Sequence, residues 1–420
     1  MDFQTRENLV VALDIGTSKI VCLIADIAPD GEIQVLGFGK EASRGMKQGQ
    51  VNNIETTAEA IRKAVSDAEK MSRTQVNSVY VGIAGSHITS LNTNGVVAIK
   101  DWDVTDNDVE RVLEISQVSR LADADQMILH LIKQEFEIDG LKGIRNPVGL
   151  HGISLSGNVH VVKGDEHAVQ NISKCIRRCD LEVAEIVLEQ LASSLSALSE
   201  DERELGVCLV DIGGGTTDLA IITDGAVRFT ANLPCAGDSV TNDIARSLST
   251  PVPDASDIKV KYGCAMSELV RPEEYIKVPS IGDRPERELM RQTLAEVVQA
   301  RYEELMIMIR DKIEDSGLKY HLASGVVLTG GTAKMEGVVE LAERVLEMPV
   351  RVAGPEASEK LDEFLCEPEF STAVGLLMYA RDHRSENSPA MAHTLDDHIP
   401  EREKSDGIVK KLSNWMKDAF

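Results

Sequence analysis

The chain has 420 residues, 43% of them hydrophobic but only 4% aromatic, and carries a formal net charge of -25. That length holds two domains of ordinary size, with aliphatic rather than aromatic cores. So acidic a surface repels nucleic acid and anionic lipid alike, which excludes nucleic-acid binding and confines any membrane contact to a local basic feature.

From the N-terminus, Leu9 to Asp14 reads as a buried strand, "DIGTSK" as a tight turn, and Ile20 to Ile27 as a second strand. "PDGEIQVLGFGKE" continues the meander through a Pro-Asp-Gly turn. Ile54 to Met71 has apolar residues at helical spacing, and "VNSVYVGIAG" is a further strand. The opening pattern then returns: "GVCLVDIGGGTTDLAIITDG", residues 206–225, repeats the strand, glycine turn and strand of "LVVALDIGTSKIVCLIAD". One unit used twice predicts two similar α/β halves facing each other. Periodicity predicts a helix over Leu289 to Ile313, with Leu294, Val297, Val298, Tyr302, Leu305 and Ile309 on one side. "GVVLTGGTAKMEG" reads as strand, glycine turn and helix, and "STAVGLLMYA", residues 371–380, as a small-residue helix.

No apolar run reaches the roughly 18 residues a spanning helix needs, and the first, Leu9 to Leu13, stops at Asp14. A cytosolic protein is expected. The seven cysteines are scattered and the nine histidines form no metal-ligand pair, so reduced, idle thiols are expected.

The two glycine turns suit a nucleotide for a physical reason. Glycine lets the backbone come close, so N–H groups of both turns can point at phosphate oxygens. The candidates are Gly16, Thr17, Ser18 and Lys19 in the first turn and Gly213, Gly214, Gly215, Thr216 and Thr217 in the second. Asp14 and Asp211, one from each turn, are placed to hold a hydrated magnesium ion through its waters. Gly330 and Gly331 supply the close approach that a purine or ribose needs. No P-loop and no dinucleotide-binding G-x-G-x-x-G follows the first strand.

After Arg381 the chain turns polar and loses periodicity, which predicts a flexible linker over residues 383–406 spanning roughly 25–30 Å. Residues 407–420 regain order as a helix. At about 100° per residue, Ile408, Val409, Leu412, Trp415, Met416, Ala419 and Phe420 share one arc, and Lys410, Lys411 and Lys417 lie on the other. That is a basic amphipathic helix suited to an anionic lipid surface.

The glycine turns resemble the phosphate and adenosine motifs of the actin, Hsp70 and sugar-kinase superfamily. "SRGMKQGQVNNIE" (43–55), "QEFEIDGLKGIRNPVGLHG" (134–152), "EDERELGVCLVDIGGGTTDLAI" and "RQTLAEVVQARYEEL" are similar to the FtsA family. The resemblance covers nearly the whole chain apart from the linker. It implies an α/β, actin-like (ribonuclease H-like) two-domain fold with a central nucleotide cleft and an FtsA-type inserted subdomain. The expected boundaries are 1–84 with 166–195 for the first half, 85–165 for the insertion, 196–235 with 305–382 for the second half, and 236–304 for its outer part.

The cofactors implied are ATP and Mg2+. Glu189 and Asp211 are the candidate catalytic residues, Glu189 as the carboxylate that orients the attacking water, in what is at most a slow regulatory ATPase. Gly237 and Lys259 join the nucleotide site, with Ser256 standing where an acidic residue is usual and Asp257 next to it. The implied partners are further copies of the chain in a filament, the FtsZ C-terminal tail at Arg301 and Glu304, and later division proteins on residues 85–165. The expected place is the cytoplasmic face of the cell membrane at the division site. The alternatives are a small-molecule kinase of the same superfamily, for which no sugar-binding motif is seen, and a pilus-assembly adaptor, which gives the basic tail no purpose.

Overall fold

The computed structural model describes residues 8–118, 125–282, 284–357 and 360–383. The chain divides into two units, 1–381 and 382–420. The predicted linker and the amphipathic helix with Ile408, Lys410, Lys411, Leu412, Trp415, Met416, Lys417 and Phe420 lie outside the described residues.

The first unit begins with a three-stranded meander, β1 (Leu9–Ile15), β2 (Lys19–Ile27) and β3 (Ile33–Ala42). A small hairpin, β4 (Met46–Lys47) and β5 (Gln50–Val51), leads to α1 (Ile54–Ser72). Asn53 caps α1 by accepting from the Thr56 N–H. β6 (Ser78–Ile83) returns parallel to β1. β1 reads as an unbroken apolar run because both its faces are covered. Leu13 and Ile15 face α1 and a later helix, whereas Val10 and Ala12 face the helix that ends the unit.

Residues 88–165 follow as a separate four-stranded sheet with its own small core: β7 (Ile88–Ala98), α2 (Asp106–Val118), β8 (Gln126–Ile138), β9 (Leu141–Ile144) and β10 (Ser154–Asp165), in the order β7-β10-β8-β9. The chain then re-enters the first sheet through α3 (Glu166–Arg177) and β11 (Glu182–Leu188), giving the order β11-β6-β1-β2-β3.

α4 (Glu189–Ala197) and α5 (Glu200–Leu205) lead into the second sheet. That half runs through β12 (Val207–Ile212), β13 (Thr217–Thr223) and β14 (Ala226–Leu233), then α6 (Gly237–Ser247), α7 (Val252–Tyr262), the separate hairpin β15 (Tyr275–Val278) and β16 (Arg287–Met290), α8 (Arg291–Asp315), β17 (Val326–Thr329), α9 (Val338–Leu346) and β18 (Val350–Val352); its sheet takes in β12, β13, β14, β17 and β18. Its order is β14-β13-β12-β17-β18. Strand for strand this matches the first sheet, so the sequence repeat is a structural one. α10 (Ser371–His383) closes the unit against β1 and β2.

One helix start and one side chain's burial differ from the sequence expectation. Leu289 lies in β16, and α8 begins at Arg291, because residues 287–290 pair with β15. Val297 is only partly buried, unlike Leu294, Val298, Tyr302, Leu305 and Ile309. α10 is small-residued for a steric reason: a Cβ on Gly375 would lie 1.9 Å from the Ala192 carbonyl oxygen of α4.

The inserted sheet grips the second half. β14 is an edge strand, and three of its carbonyls accept side-chain donors from the insertion: Val227 from Gln134 (2.9 Å), Arg228 from Asn92 (2.9 Å) and Thr230 from Ser90 (3.2 Å). His160 sits beneath them, 2.7 Å from Asn92 Oδ1 and 3.0 Å from Thr230 Oγ1. Burial pushes its imidazole down to about 4. The fold therefore holds it neutral, and the stability this contributes is present above the ordinary value near 6.5 and is lost as pH falls from there toward 4. Replacing His160 with Gln is expected to flatten that acid limb between pH 6.5 and 4 in a series of thermal midpoints against pH, with little change at pH 8.

Candidate functional site

The two glycine turns meet across a cavity of about 570 Å³ between the sheets, a size that suits a small-molecule ligand. The first turn joins β1 to β2 and the second joins β12 to β13, so each is held rigidly by its hairpin. They touch. A Cβ on Gly214 would lie 1.8 Å from Ser18 Oγ, and one on Gly215 would lie 2.5 Å from Thr17 Oγ1. Thr17 Oγ1 also accepts from the Gly49 N–H, at 3.1 Å.

The structure brings together Asp14, Gly16, Thr17, Ser18 and Lys19 with Glu189, Asp211, Gly213, Gly214, Gly215 and Thr216. Lys259, Gly330 and Gly331 complete the same lining, and Ser256 is there while Asp257 is not. Two expected residues point elsewhere. Thr217 is fully buried and its hydroxyl donates to the Cys235 carbonyl at 2.7 Å. Side chains alternate along a strand, so Thr216 and Thr217 cannot both face the cleft. Gly237 does not line the cavity, but its carbonyl accepts from Lys259 Nζ at 2.9 Å and so positions that lysine.

Sequence reasoning missed Asp218, Ser193 and Thr372. Asp211 Oδ2 accepts from Ser193 Oγ on α4 at 2.8 Å and from Thr372 Oγ1 on α10 at 3.3 Å. Asp218 also lines the cavity and accepts from Gln190 Nε2 at 3.0 Å. The signals were slight: Asp218 follows the second glycine turn, Ser193 is one of three serines on α4, and Thr372 is one of two hydroxyl residues at the start of α10, and none of this reveals their partners.

Asp14, Glu189, Asp211 and Asp218 crowd one cavity against Lys19, whose Nζ is 4.0 Å from Asp14 Oδ2. Burial, and then neighbouring carboxylates, push Glu189 well above the usual carboxylate range. Burial raises Asp14 to about 6 and Asp218 to about 7, and it raises Asp211 as well. Excess buried acid of this kind fits a divalent cation, which would offset the repulsion. Among the described residues no three donors converge into a direct ligand set, so the fit is to a hydrated ion held by Asp14 and Asp211 through water.

Arg301 and Glu304 lie elsewhere, on α8. Arg301 Nε donates to Asp243 Oδ2 and a terminal nitrogen to Glu304, both at 2.5 Å. The pair lines an open groove of about 520 Å³ with Val297, Glu296 and Arg246.

Comparison with known proteins bears on this geometry. A solved type IV pilus biogenesis complex, PilM–PilN, superposes with a TM-score of 0.63 at 15% identity, over 89% of this chain and 98% of that one. MreB5 of Spiroplasma citri bound to AMPPNP gives 0.55 at 14% identity, over 91% and 98%. The repeated sheets and the glycine-lined cleft thus define an α/β protein of the actin-like class, carrying an inserted four-stranded subdomain.

A sequence model of cell division protein FtsA matches residues 208–375, and one of the SHS2 domain inserted in FtsA matches residues 85–163. Cell division protein FtsA of Pseudomonas aeruginosa is 48% identical over 413 residues, 98% of each chain, and that of Escherichia coli is 41% identical over 423 residues, 99% of each. The chain belongs to the FtsA family of cell division proteins, and its role is in cell division.

Gly330 offers a direct check of the cleft. It has φ +86°, and a Cβ there would lie 2.4 Å from Asp211 Oδ1 and 2.5 Å from the Ile212 carbonyl. Gly330→Ala is therefore expected to lower the midpoint of a thermal denaturation scan by several degrees, since the new Cβ must displace Asp211 or the Ile212 carbonyl.

Proposed function

We propose that this protein is an ATP-binding, filament-forming adaptor that tethers FtsZ filaments to the cytoplasmic membrane at the division site. The observation that carries the nucleotide part is the contact of the two glycine turns over a buried acidic cavity. Backbone N–H groups and hydroxyls there suit phosphates, Lys19 adds positive charge, and Asp14 and Asp211 suit hydrated Mg2+. The solved neighbours include MreB5 bound to ADP and to AMPPNP, in the same class of fold.

Residues 1–84 with 166–195, and 196–235 with 305–382, are the two halves in this reading, with 85–165 and 236–304 as their outer subdomains. ATP closes the halves and favours longitudinal contacts between copies. Hydrolysis is slow and regulatory. Later division proteins bind residues 85–165.

The membrane part rests on the sequence pattern of residues 408–420, three lysines opposite an apolar arc. Peripheral attachment through this segment is the reading that pattern supports. One short helix binds weakly. A filament that presents many tails binds far more tightly through effective concentration. Electron microscopy on an anionic lipid monolayer with ATP and magnesium tests both parts at once. The full chain should form ordered filaments or rings, and a variant ending at Asp406 should leave the lipid bare. Equal behaviour of the two would sink the tether.

For the FtsZ tail, the groove beside Arg301 joins the partly buried Val297 to charges of both signs, Arg246 and Arg301 against Asp243, Glu296 and Glu304, which suits an extended peptide that presents apolar and charged groups. Arg301→Glu should weaken binding of an FtsZ C-terminal peptide about tenfold or more in a fluorescence polarisation titration, and leave ATP affinity unchanged.

A further inference from the structure

We propose that the β4–β5 hairpin senses the phosphate end of a bound nucleotide through Thr17 and passes that state to the crossing from which the inserted sheet hangs. This rests on the ATP reading above.

The hairpin carries its contacts at the tip. Gln48 and Gly49 form its two-residue turn, and both have positive φ, +49° and +76°, the conformation that suits the twist of a tight hairpin. Glycine adopts it freely, whereas a glutamine is held there against its preference. The base is firm. Met46 and Val51 pack against the first core, and the Gly45 carbonyl accepts from the N–H groups of Asn52 at 2.7 Å and Asn53 at 3.0 Å.

Three parts of the molecule meet at that tip. The Gly49 N–H donates to Thr17 Oγ1 in the first glycine turn at 3.1 Å. Gly49 also lies against the crossing into the insertion, where a Cβ on it would be 2.6 Å from the Ala84 carbonyl oxygen and 3.0 Å from Gly85 Cα. Gln48 reaches the other half, its Nε2 donating to the Pro234 carbonyl at 3.1 Å. Pro234 opens the loop into α6, where the N–H groups of Gly237 and Asp238 donate to the carbonyls of Gly213 and Gly214 in the second glycine turn. The tip thus touches one glycine turn directly and the other through a single loop.

A hydroxyl has one proton to donate and two lone pairs that accept. Thr17 can therefore hold Gly49 and a phosphate oxygen together. A phosphate that takes its proton polarises the hydroxyl and strengthens the bond from Gly49. The crossing is able to respond. Gly85 has φ +131°, and a Cβ on it would lie 2.9 Å from the His87 ring. Both nitrogens of that ring are buried without a partner, so the crossing holds hydrogen bonds still to be made in another arrangement. The returning chain is tied to the same point, with the Asp165 N–H donating to the His87 carbonyl at 3.1 Å.

The test is hydrogen–deuterium exchange of the full chain with magnesium and saturating AMPPNP or ADP, with dissociation constants read by calorimetry. In the wild type, residues 45–52 and 84–90 should exchange about threefold or more slower with AMPPNP than with ADP. Thr17→Val, read at saturating nucleotide, should abolish that difference, and Thr17→Ser should keep it. Gln48→Gly suits the turn's backbone and cuts only the tie to Pro234. It should leave both dissociation constants within about twofold and at least about halve the difference at residues 84–90. Gln48→Asn, which tolerates the same φ but is shorter, serves if Gln48→Gly does not fold. A hairpin that merely braced the fold would, once altered, exchange faster with both nucleotides alike.

Equal exchange at residues 84–90 with the two nucleotides in the wild type overturns the proposal. So does a difference that survives intact in Thr17→Val and Gln48→Gly, and the nucleotide reading stands in either case. A wild-type chain that binds neither nucleotide sinks that reading instead.

Discussion

The two halves are joined through one buried anion. Asp211 sits at the end of β12, and its Oδ2 accepts hydroxyls from Ser193 on α4 and Thr372 on α10. These two helices also meet beneath it, with Ser193 Oγ and Thr372 Oγ1 3.0 Å apart and Ser196 Oγ donating to the Ser371 carbonyl at 2.7 Å. On the other side of the carboxylate, Gly330 approaches so closely that no side chain fits. Hydroxyls can satisfy a buried carboxylate without neutralising it. Burial still raises this carboxyl above its usual range, so a charge here is costly, and with Asp14, Glu189 and Asp218 nearby the cleft favours a cation. A site with this imbalance is less stable empty than filled, which is a physical reason for ligand and closure to be linked.

Most of the architecture was legible because it is written in local pattern. Apolar runs that end in Asp-Ile-Gly mark β1 and β12, and their recurrence announces two equal sheets. The glycines of the two turns were recognisable because only close backbone approach calls for so many. What escaped was pairwise. Nothing local says that Ser193 and Thr372, 179 positions apart, share one oxygen, or that Gln190 and Asn232 hold Asp218. Thr217 differs for a simpler reason: the strand's alternation sends Thr216 to the cleft and Thr217 to Cys235. Leu289 fits a helical period by chance, and the pairing of β15 with β16, a tertiary fact, overrides it.

The inserted sheet answers a different constraint. β14 ends the second sheet, and an open edge is a liability unless it is covered. Side chains from β7 and β8 cover it by donating to its carbonyls, which leaves the insertion attached to one half by its chain and to the other by hydrogen bonds.

That double attachment has a mechanical consequence. Asn232, which holds Asp218, lies on β14 two residues beyond the gripped Thr230. His130 of β8 accepts from the Leu188 N–H, the residue before Glu189, at 2.9 Å. The insertion therefore contacts the supports of both acidic groups that face the cavity from opposite halves. A rotation of the halves that changes how Glu189 and Asp218 face each other must also shift β14 against Leu188. The inserted sheet is bonded to both and cannot stay in place relative to each. Either it turns with the closing cleft or its grip on β14 breaks. Three carbonyl contacts and a buried neutral histidine favour turning, since breaking them would leave polar groups without partners away from water. The inserted sheet is in this way bonded to the supports of both sides of the cleft.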